Sequence, residues 1–381
     1  MAGSGTFELG VLTRAQAGDE QAFAELVSPY RRELQLHCYR MLGSVSDADD
    51  LLQETMVAAW QGLSGLAGRS TLRAWLFRIA TNRCLNSIRS GRRRPLPTPV
   101  PPFEPPEPTR RGAVSWLQPY PDAWLDLTPD PAPDPAARYE QRESVELAFI
   151  AALQLLPPRQ IAVLVLSDVL GFSLREVATM LDATPTASKG LLQRARAALR
   201  RESLGGIDRP PEPGSRAEAD LAQRFANAFS ADDVESLVAL LTDDAWLAMP
   251  PAPHEYHGIE PIAAFLRASA VGRAGQRLQL RPTRANGQPA FACYLGDADS
   301  HGAQPSGLIV LTLAGDRITG VTRFLDPKLP AVFGFGHSWS EAASAGRPAR
   351  RHPGAAAVPF TLPNCEVEVE ESTPIGSPRR R

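Results

Sequence analysis

The chain has 381 residues, 36 of them proline, and sets 40 Lys and Arg against 42 Asp and Glu for a net charge of −2. That length allows two or three domains with cores of their own. The near-zero charge excludes a uniformly basic nucleic-acid coat but leaves local basic faces open.

Cys38, Cys84, Cys293 and Cys365 lie far apart, which argues against a disulfide scaffold and against a Cys-based zinc site. The first twelve residues lack a basic flank ahead of an apolar stretch, so no signal peptide is expected. No apolar run approaches the roughly 18–20 residues of a membrane span. The expected setting is the cytoplasm, with no membrane partner.

Residues 13–94 read as helical. Leu51, Leu52, Thr55, Met56, Ala59 and Trp60 follow helical spacing, as do Leu72, Trp75, Leu76, Ile79, Ala80 and Leu85. The first of these helices is acidic at its start, and Ser46 is the expected cap. Asp50, Gln53, Glu54 and Val57 share one side of it, a docking face for a basic protein partner. The bland alternative is a capped, solvated surface helix. The second helix, 71–94, carries seven arginines and no acid, with Trp75, Phe77, Asn82 and Asn86 interleaved. Cations suit phosphates, and amides and aromatics suit exposed bases.

Residues 95–136 hold 14 prolines, a composition that cannot sustain a helix and offers little to bury. A semi-rigid linker is expected, with Trp116, Tyr120 and Trp124 able to dock on a neighbouring surface. Residues 137–204 contain a second helical unit. A helix starts at Pro157-Pro158, and Gly171-Phe172-Ser173 breaks it. Ser173 and Glu176 have capping-box spacing for a short helix over 174–181. Thr184 is a good cap and Pro185 a good first residue for a helix over 185–201, with Leu191, Leu192, Ala195 and Leu199 at core spacing. Five cations and no acid remain for its outer faces. Two short helices, a tight turn and a basic second helix make a helix-turn-helix, whose second helix meets base edges and phosphates.

A linker over 205–215 leads to a segment of different character, 216–330. Helices are expected over 217–229, 233–241 and 259–270, and strands over 245–249, 277–284, 290–295, 307–314 and 317–325. Turn signals at Asn286-Gly287, Gly296-Asp297 and Gly315-Asp316 separate the strands, giving an α+β unit with an antiparallel sheet. His254-x-x-His257 sits in a proline-rich loop without a third ligand, so no metal is expected, and no cofactor. Residues 331–381 read as a disordered tail.

The run Ser46-Asp47-Ala48-Asp49-Asp50-Leu51-Leu52-Gln53-Glu54, the basic run from Thr71 to Leu85, Leu156-Pro157-Pro158-Arg159-Gln160 and the run from Gln193 to Leu199 together resemble the extracytoplasmic-function (ECF) subfamily of sigma-70-type RNA polymerase sigma factors. The third segment, through Phe225-Ala226-Asn227-Ala228-Phe229, Asp243-Asp244-Ala245 and Tyr256-His257-Gly258, is similar to the SnoaL-like cone-shaped barrel of polyketide cyclases and ketosteroid isomerases. The fold class this implies is multidomain: all-α sigma region 2, all-α helix-turn-helix sigma region 4, then an α+β SnoaL-like barrel.

The resemblance implies core RNA polymerase and promoter DNA as partners. Region 2 would grip the β′ clamp helices through Asp47, Asp50, Leu51, Gln53, Glu54 and Val57, and region 4 would engage the β flap. Region 2 would also melt the minus-ten element, with a base captured in the loop 62–70 and the strand held by Arg78, Asn82, Arg83, Asn86 and Arg89. Region 4 would read the minus-thirty-five element through Thr184, Pro185, Thr186, Ser188, Lys189, Gln193, Arg194 and Arg196. Ser188, Gly190 and Leu191 depart from common ECF residues, so base preference does not carry over. The barrel would enclose an apolar cavity for a small-molecule ligand, lined by Trp246, Met249, Tyr256, Phe291, Tyr294 and Phe324. Asp244, His254, Tyr256 and His257 form no convincing base–donor pair, so the chain is not expected to be an enzyme. Two alternatives stay open: a helix-turn-helix regulator with a ligand-binding domain, and a SnoaL-type isomerase or hydrolase fused to DNA-binding helices.

Overall fold

The computed structural model describes residues 3–66, 71–91, 103–112, 114, 116–125, 144–202, 209–297, 302–336 and 338. Of the expected disordered tail, 331–336 and 338 are described, and 331 and 332 are helical against that expectation; the rest of the tail, Arg92 to Arg94 and residues 67–70 of the loop 62–70 lie outside the described residues.

The N-terminal unit is helical: α1 (Gly3–Gln16), α2 (Glu20–Val27), α3 (Arg31–Leu42), α4 (Val45–Gly62) and α5 (Leu72–Arg89). Its core is made by fully buried Phe23, Leu34, Tyr39, Met56 and Phe77. Ser44, rather than Ser46, caps α4: its hydroxyl accepts the Asp47 N–H at 3.2 Å. Ser46 lies inside the first turn and is satisfied from outside, its N–H and hydroxyl both donating to Gln118 Oε1 at 3.1 Å. Thr71 caps α5 through the Ala74 N–H, a cap not among those expected from the sequence.

The proline-rich stretch does not behave as a bare tether. Leu117 and Tyr120 are buried in it, against the expectation that it offers little to bury. Nearby Tyr39 donates from its hydroxyl to Gln118 O at 2.9 Å, and the Arg32 guanidinium lies over the Trp124 ring. A two-residue strand, β1 (Arg110–Arg111), and a short helix, α6 (Asp122–Leu125), come from this stretch.

The second helical unit contains α7 (Leu147–Gln154), α8 (Pro158–Leu164), a π-helical turn (Val165–Val169), α9 (Leu174–Met180) and α10 (Pro185–Glu202). The capping box of Ser173 and Glu176 is fully formed, and the Thr184 hydroxyl accepts the Ala187 N–H. Leu192 and Ala195 are buried as read, whereas Leu191 and Leu199 are half-buried.

The third unit packs α11 (Arg216–Ser230), α12 (Val234–Ala239) and α13 (Ile259–Gly272) on a sheet of β2 (Leu241–Met249), β3 (Ala252–His257), β4 (Arg277–Ala285), β5 (Gln288–Gly296), β6 (Gln304–Ala314) and β7 (Arg317–Phe324), followed by a short α14 (Leu329–Val332). Strand order is β1-β3-β2-β7-β6-β5-β4. The sheet is mixed and not purely antiparallel, because β2 runs parallel to β7 with Leu247 opposite Val321. The proline-rich loop at 252–257 is strand β3, held by antiparallel partners on both sides.

The cavity lining expected from sequence is divided by strand alternation. Met249, Tyr256 and Phe291 face the helices in the packed core. Trp246 sits beside Leu247 on the opposite face, over Gly320. Tyr294 alternates with Cys293 and donates to Gly336 O, and Phe324 pairs with Leu308 outside the core set. Half of the six residues therefore line the other side of the sheet.

Candidate nucleic-acid and protein interfaces

On α4, Asp50 and Gln53 are exposed and Asp47, Glu54 and Val57 half-buried. Leu51 is buried in the helical core, a correction to its place on the docking face: it lies one position from Asp50, about 100° around the helix. On α5, Arg78, Arg83, Asn86 and Arg89 are exposed and Asn82 half-buried. On α10, Thr186, Lys189, Gln193 and Arg196 follow one another at helical spacing and are all exposed, with Thr184, Pro185 and Arg194 beside them. Ser188 is a second correction. It is fully buried, and its hydroxyl has no hydrogen-bond partner. It sits four residues before Leu192 on the core stripe, where it touches no base. An open hollow of about 590 Å³ lies at the start of α10, lined by Arg159, Thr186, Ala187, Gly190, Leu191 and Arg194.

Several of these cations meet the chain's own acids. Arg78 pairs with Asp182, in the turn of the helix-turn-helix, at 3.0 Å. Arg196 makes a bidentate pair with Asp168 at 2.7 and 2.8 Å, which raises its guanidinium above its usual range. Arg83 reaches Glu54 at 3.5 Å. The Arg78 pair exists because the helix-turn-helix rests on α5. Phe172 packs 5.4 Å from Phe77, and Arg73 lies 4.4 Å over the Phe172 ring while pairing with Glu33 and donating to Leu170 O. The two DNA-facing units, expected on separate tethers, touch in this structure.

A junction not legible in the sequence holds them there. Asn286, at φ +57° in the β4–β5 turn, is fully buried. Its amide donates to Tyr39 Oη at 2.8 Å and to Val145 O at 2.6 Å, and its oxygen accepts the Tyr120 N–H at 2.8 Å. One side chain thus binds the first helical unit, the linker and the approach to the second. Gln288 adds a bond to the Leu147 N–H at 3.2 Å, and Tyr120 donates to Gln35 Oε1 at 2.9 Å. Arg40, buried beside them, donates to Ser144 Oγ at 2.6 Å. Burial pushes the Tyr120 hydroxyl up to about 12 and Arg40 down to about 10, and it raises Tyr39 as well. Below the turn, Arg284 joins Glu218 at 2.5 Å and Asp122 at 3.2 Å, clamping α6 to the barrel. The Asn286-Gly287 pair was the available signal, but it specifies a turn and not what the turn touches.

Three family profiles match: Sigma-70 region 2 over residues 26–94, Sigma-70 region 4 over 146–199, and a SnoaL-like domain over 222–321. The chain is 45% identical over 320 residues to the ECF RNA polymerase sigma factor SigG of Mycobacterium tuberculosis, covering 83% of this chain and 84% of that one. It is 26% identical over 298 residues to SigJ of the same organism, covering 77% and 85%. The crystal structure of that SigJ shares its fold, with a TM-score of 0.52 at 20% identity over 81% of this chain and 98% of that one. The chain belongs to the ECF RNA polymerase sigma factor family, with a SnoaL-like domain at its C-terminal side. Among the described residues no helix is long and apolar enough to cross a membrane.

Proposed function

We propose that this protein is a promoter-specific initiation subunit of RNA polymerase that its own barrel and linker hold closed. In the open form, Asp47, Asp50, Gln53, Glu54 and Val57 of α4 dock on the basic clamp helices of β′, and region 4 engages the β flap. The arginines of α5 take the phosphates of the minus-ten region while Asn82 and Asn86 meet bases that have left the stack, a step costing a few kcal/mol. The exposed face of α10 enters the major groove of the minus-thirty-five element, with Arg194 and Arg196 on phosphates.

The observation that carries this reading is the pairing of Arg78 with Asp182. An arginine aimed at promoter DNA is held by an acid from the other DNA-binding unit, with the two side chains 45% and 75% exposed. While the two units touch, Asp182 competes with any phosphate for Arg78. The barrel serves as the clamp and not as a catalyst. Asp244 and His257 are exposed, and the Tyr256 hydroxyl donates to Pro106 O at 2.7 Å, so the inner face assembles no base–donor pair from them. The function is tested by Asp50→Lys with Glu54→Lys in the full chain. Core polymerase affinity is expected to fall more than tenfold while the chain stays folded; unchanged affinity would reject the docking face.

A further inference from the structure

The hollow of about 590 Å³ at the start of α10 has a largely apolar wall. Ala187, Gly190, Leu191 and Arg194 stand at positions i, i+3, i+4 and i+7 of the helix and so form one stripe along it. Ala187 and Arg194 are exposed, and Gly190 and Leu191 half-buried. This stripe lies beside the polar one of Thr186, Lys189, Gln193 and Arg196, and a helix in the major groove turns both toward base pairs.

Local chemistry keeps the wall open and without free polar groups. A Cβ at Gly190 would meet only Arg194 Nη1, at 3.6 Å, which is an ordinary contact. Glycine inside a helix costs stability relative to alanine, so the fold gains nothing from the missing side chain. The Thr184 hydroxyl accepts the Ala187 N–H at 3.1 Å and is occupied as a cap. Arg159, from α8, donates to Leu181 O and so ties α8 to the turn beside Ala183, which also lines the hollow.

The charge around the hollow fits a polyanion. Helix α10 carries no acid over 185–201. Arg159 and Arg194 line the hollow, Lys189 is adjacent in the helix, and among the described residues none of the three forms an ion pair. None of the unit's acids lines it: Asp182, beside Ala183, pairs with Arg78, and Asp168 pairs with Arg196. Duplex DNA is a polyanion that can offer an apolar group to such a wall. In its major groove that group is the thymine C5-methyl, whereas guanine, adenine and cytosine present donors and acceptors. Those polar edges would lose water against the wall and gain no partner, so the wall disfavours them as well as favouring thymine.

We propose that Ala187, Gly190 and Leu191 specify thymine in the minus-thirty-five element, their hollow receiving C5-methyl groups while Arg159 and Arg194 hold flanking phosphates. Thymine selection here rests on α10 being the helix that enters the major groove. It supplies the base preference that the sequence leaves open at Gly190 and Leu191.

The test uses the full chain assembled with core RNA polymerase and a duplex library randomised over both promoter elements. Sequencing of the retained pool should show thymine at one or more positions of the upstream element. Replacing one such thymine by uracil removes only its methyl and should weaken binding about fourfold. Ala187→Gln with Leu191→Gln should lose both the thymine preference and the uracil effect. Gly190→Leu, which fills the hollow and favours the helix, should lose the uracil effect and bind the thymine site at least tenfold more weakly. A cooperative circular-dichroism melt shows that each variant remains folded. Equal binding of thymine and uracil sites by the wild type, or an unchanged thymine preference in the glutamine variant, would overturn the assignment and leave α10 as the reading helix. Retention of no upstream sequence would overturn it together with that reading. Wild-type DNA selection in the glutamine variant, with weaker core polymerase binding, would give the hollow to a polymerase segment instead of DNA.

Discussion

Removing the Asn286 side chain should undock the barrel without unfolding it. Asn286→Ala deletes three hydrogen bonds and leaves two buried groups without their partner, the Tyr120 N–H and the Val145 carbonyl. Tyr39 loses less, since its hydroxyl still donates to Gln118 O. An unsatisfied buried group costs about 1–3 kcal/mol, so two give about 2–6 kcal/mol. Alanine also fits φ +57° poorly, adding about 1 kcal/mol. Asn286→Gly avoids that strain and isolates the hydrogen bonds. At 1.4 kcal/mol per factor of ten, the glycine variant should raise the open population by about 30-fold to 10⁴-fold.

Native-state hydrogen exchange reads this directly. The Leu147 N–H, bonded to Gln288 Oε1, and the residue 286 N–H, bonded to Tyr120 O, both bridge the barrel to the rest of the chain. Both should exchange faster by that factor. The β6–β7 ladder, with Leu311 opposite Val321, should keep its wild-type rates. Wild-type protection at Leu147 in the glycine variant would refute the clamp, and equal acceleration of the β6–β7 amides would show unfolding of the barrel instead.

Three further outcomes follow from the same structure. Ser188→Ala should leave promoter affinity unchanged and raise stability by up to about 1 kcal/mol in chemical denaturation, because it removes a buried hydroxyl without a partner. Asp182→Asn should change stability by less than about 0.5 kcal/mol, since both members of its pair with Arg78 are exposed, yet it should strengthen DNA binding and steepen its salt dependence. His37 is fully buried beside Thr81, and burial, with Arg40 and Arg73, lowers its pKa from 6.5 to about 3. The folded chain therefore keeps it neutral while the unfolded chain protonates below about 6.5. Stability should fall as pH drops, by about 2 kcal/mol from this residue at pH 5, and denaturation of His37→Gln should lack that part of the slope.

Local chemistry made much of the fold readable. The Ser173–Glu176 box and Thr184 before Pro185 each act within one turn, and each appears where its spacing places it. What escaped depends on distant partners. Strand β3 is defined by pairing with β2 and with linker residues more than 140 positions earlier, and its prolines mask it locally. The parallel β2–β7 pair joins strands some 75 positions apart. Two errors were within reach of periodicity. Phe291 and Tyr294 stand three apart in a strand and so face opposite sides; Ser188, Leu192 and Ala195 form one helical stripe whose first member is polar. Among the interface residues, exposure follows amphipathic pattern and was legible; the acids that cover Arg78 and Arg196 come from other elements and were not.

The chemistry of the junction suits a clamp that must let go. An apolar interface of the same extent would lose its whole hydrophobic gain on opening. Here the packed Tyr39 and Tyr120 rings are accompanied by hydrogen bonds among Gln35, Tyr39, Gln118, Tyr120 and Asn286, and water satisfies those polar groups nearly as well once they are exposed. Arg40 pushes in the same direction. Its charge is buried against the neutral Ser144, and burial drops its pKa to about 10, so solvent would hold that charge more favourably than the closed joint does. The closed state therefore stores part of the free energy needed to open it. A partner that competes for region 2 need supply only the remainder, and polymerase, which must grip regions 2 and 4 at separate places, is suited to supply it.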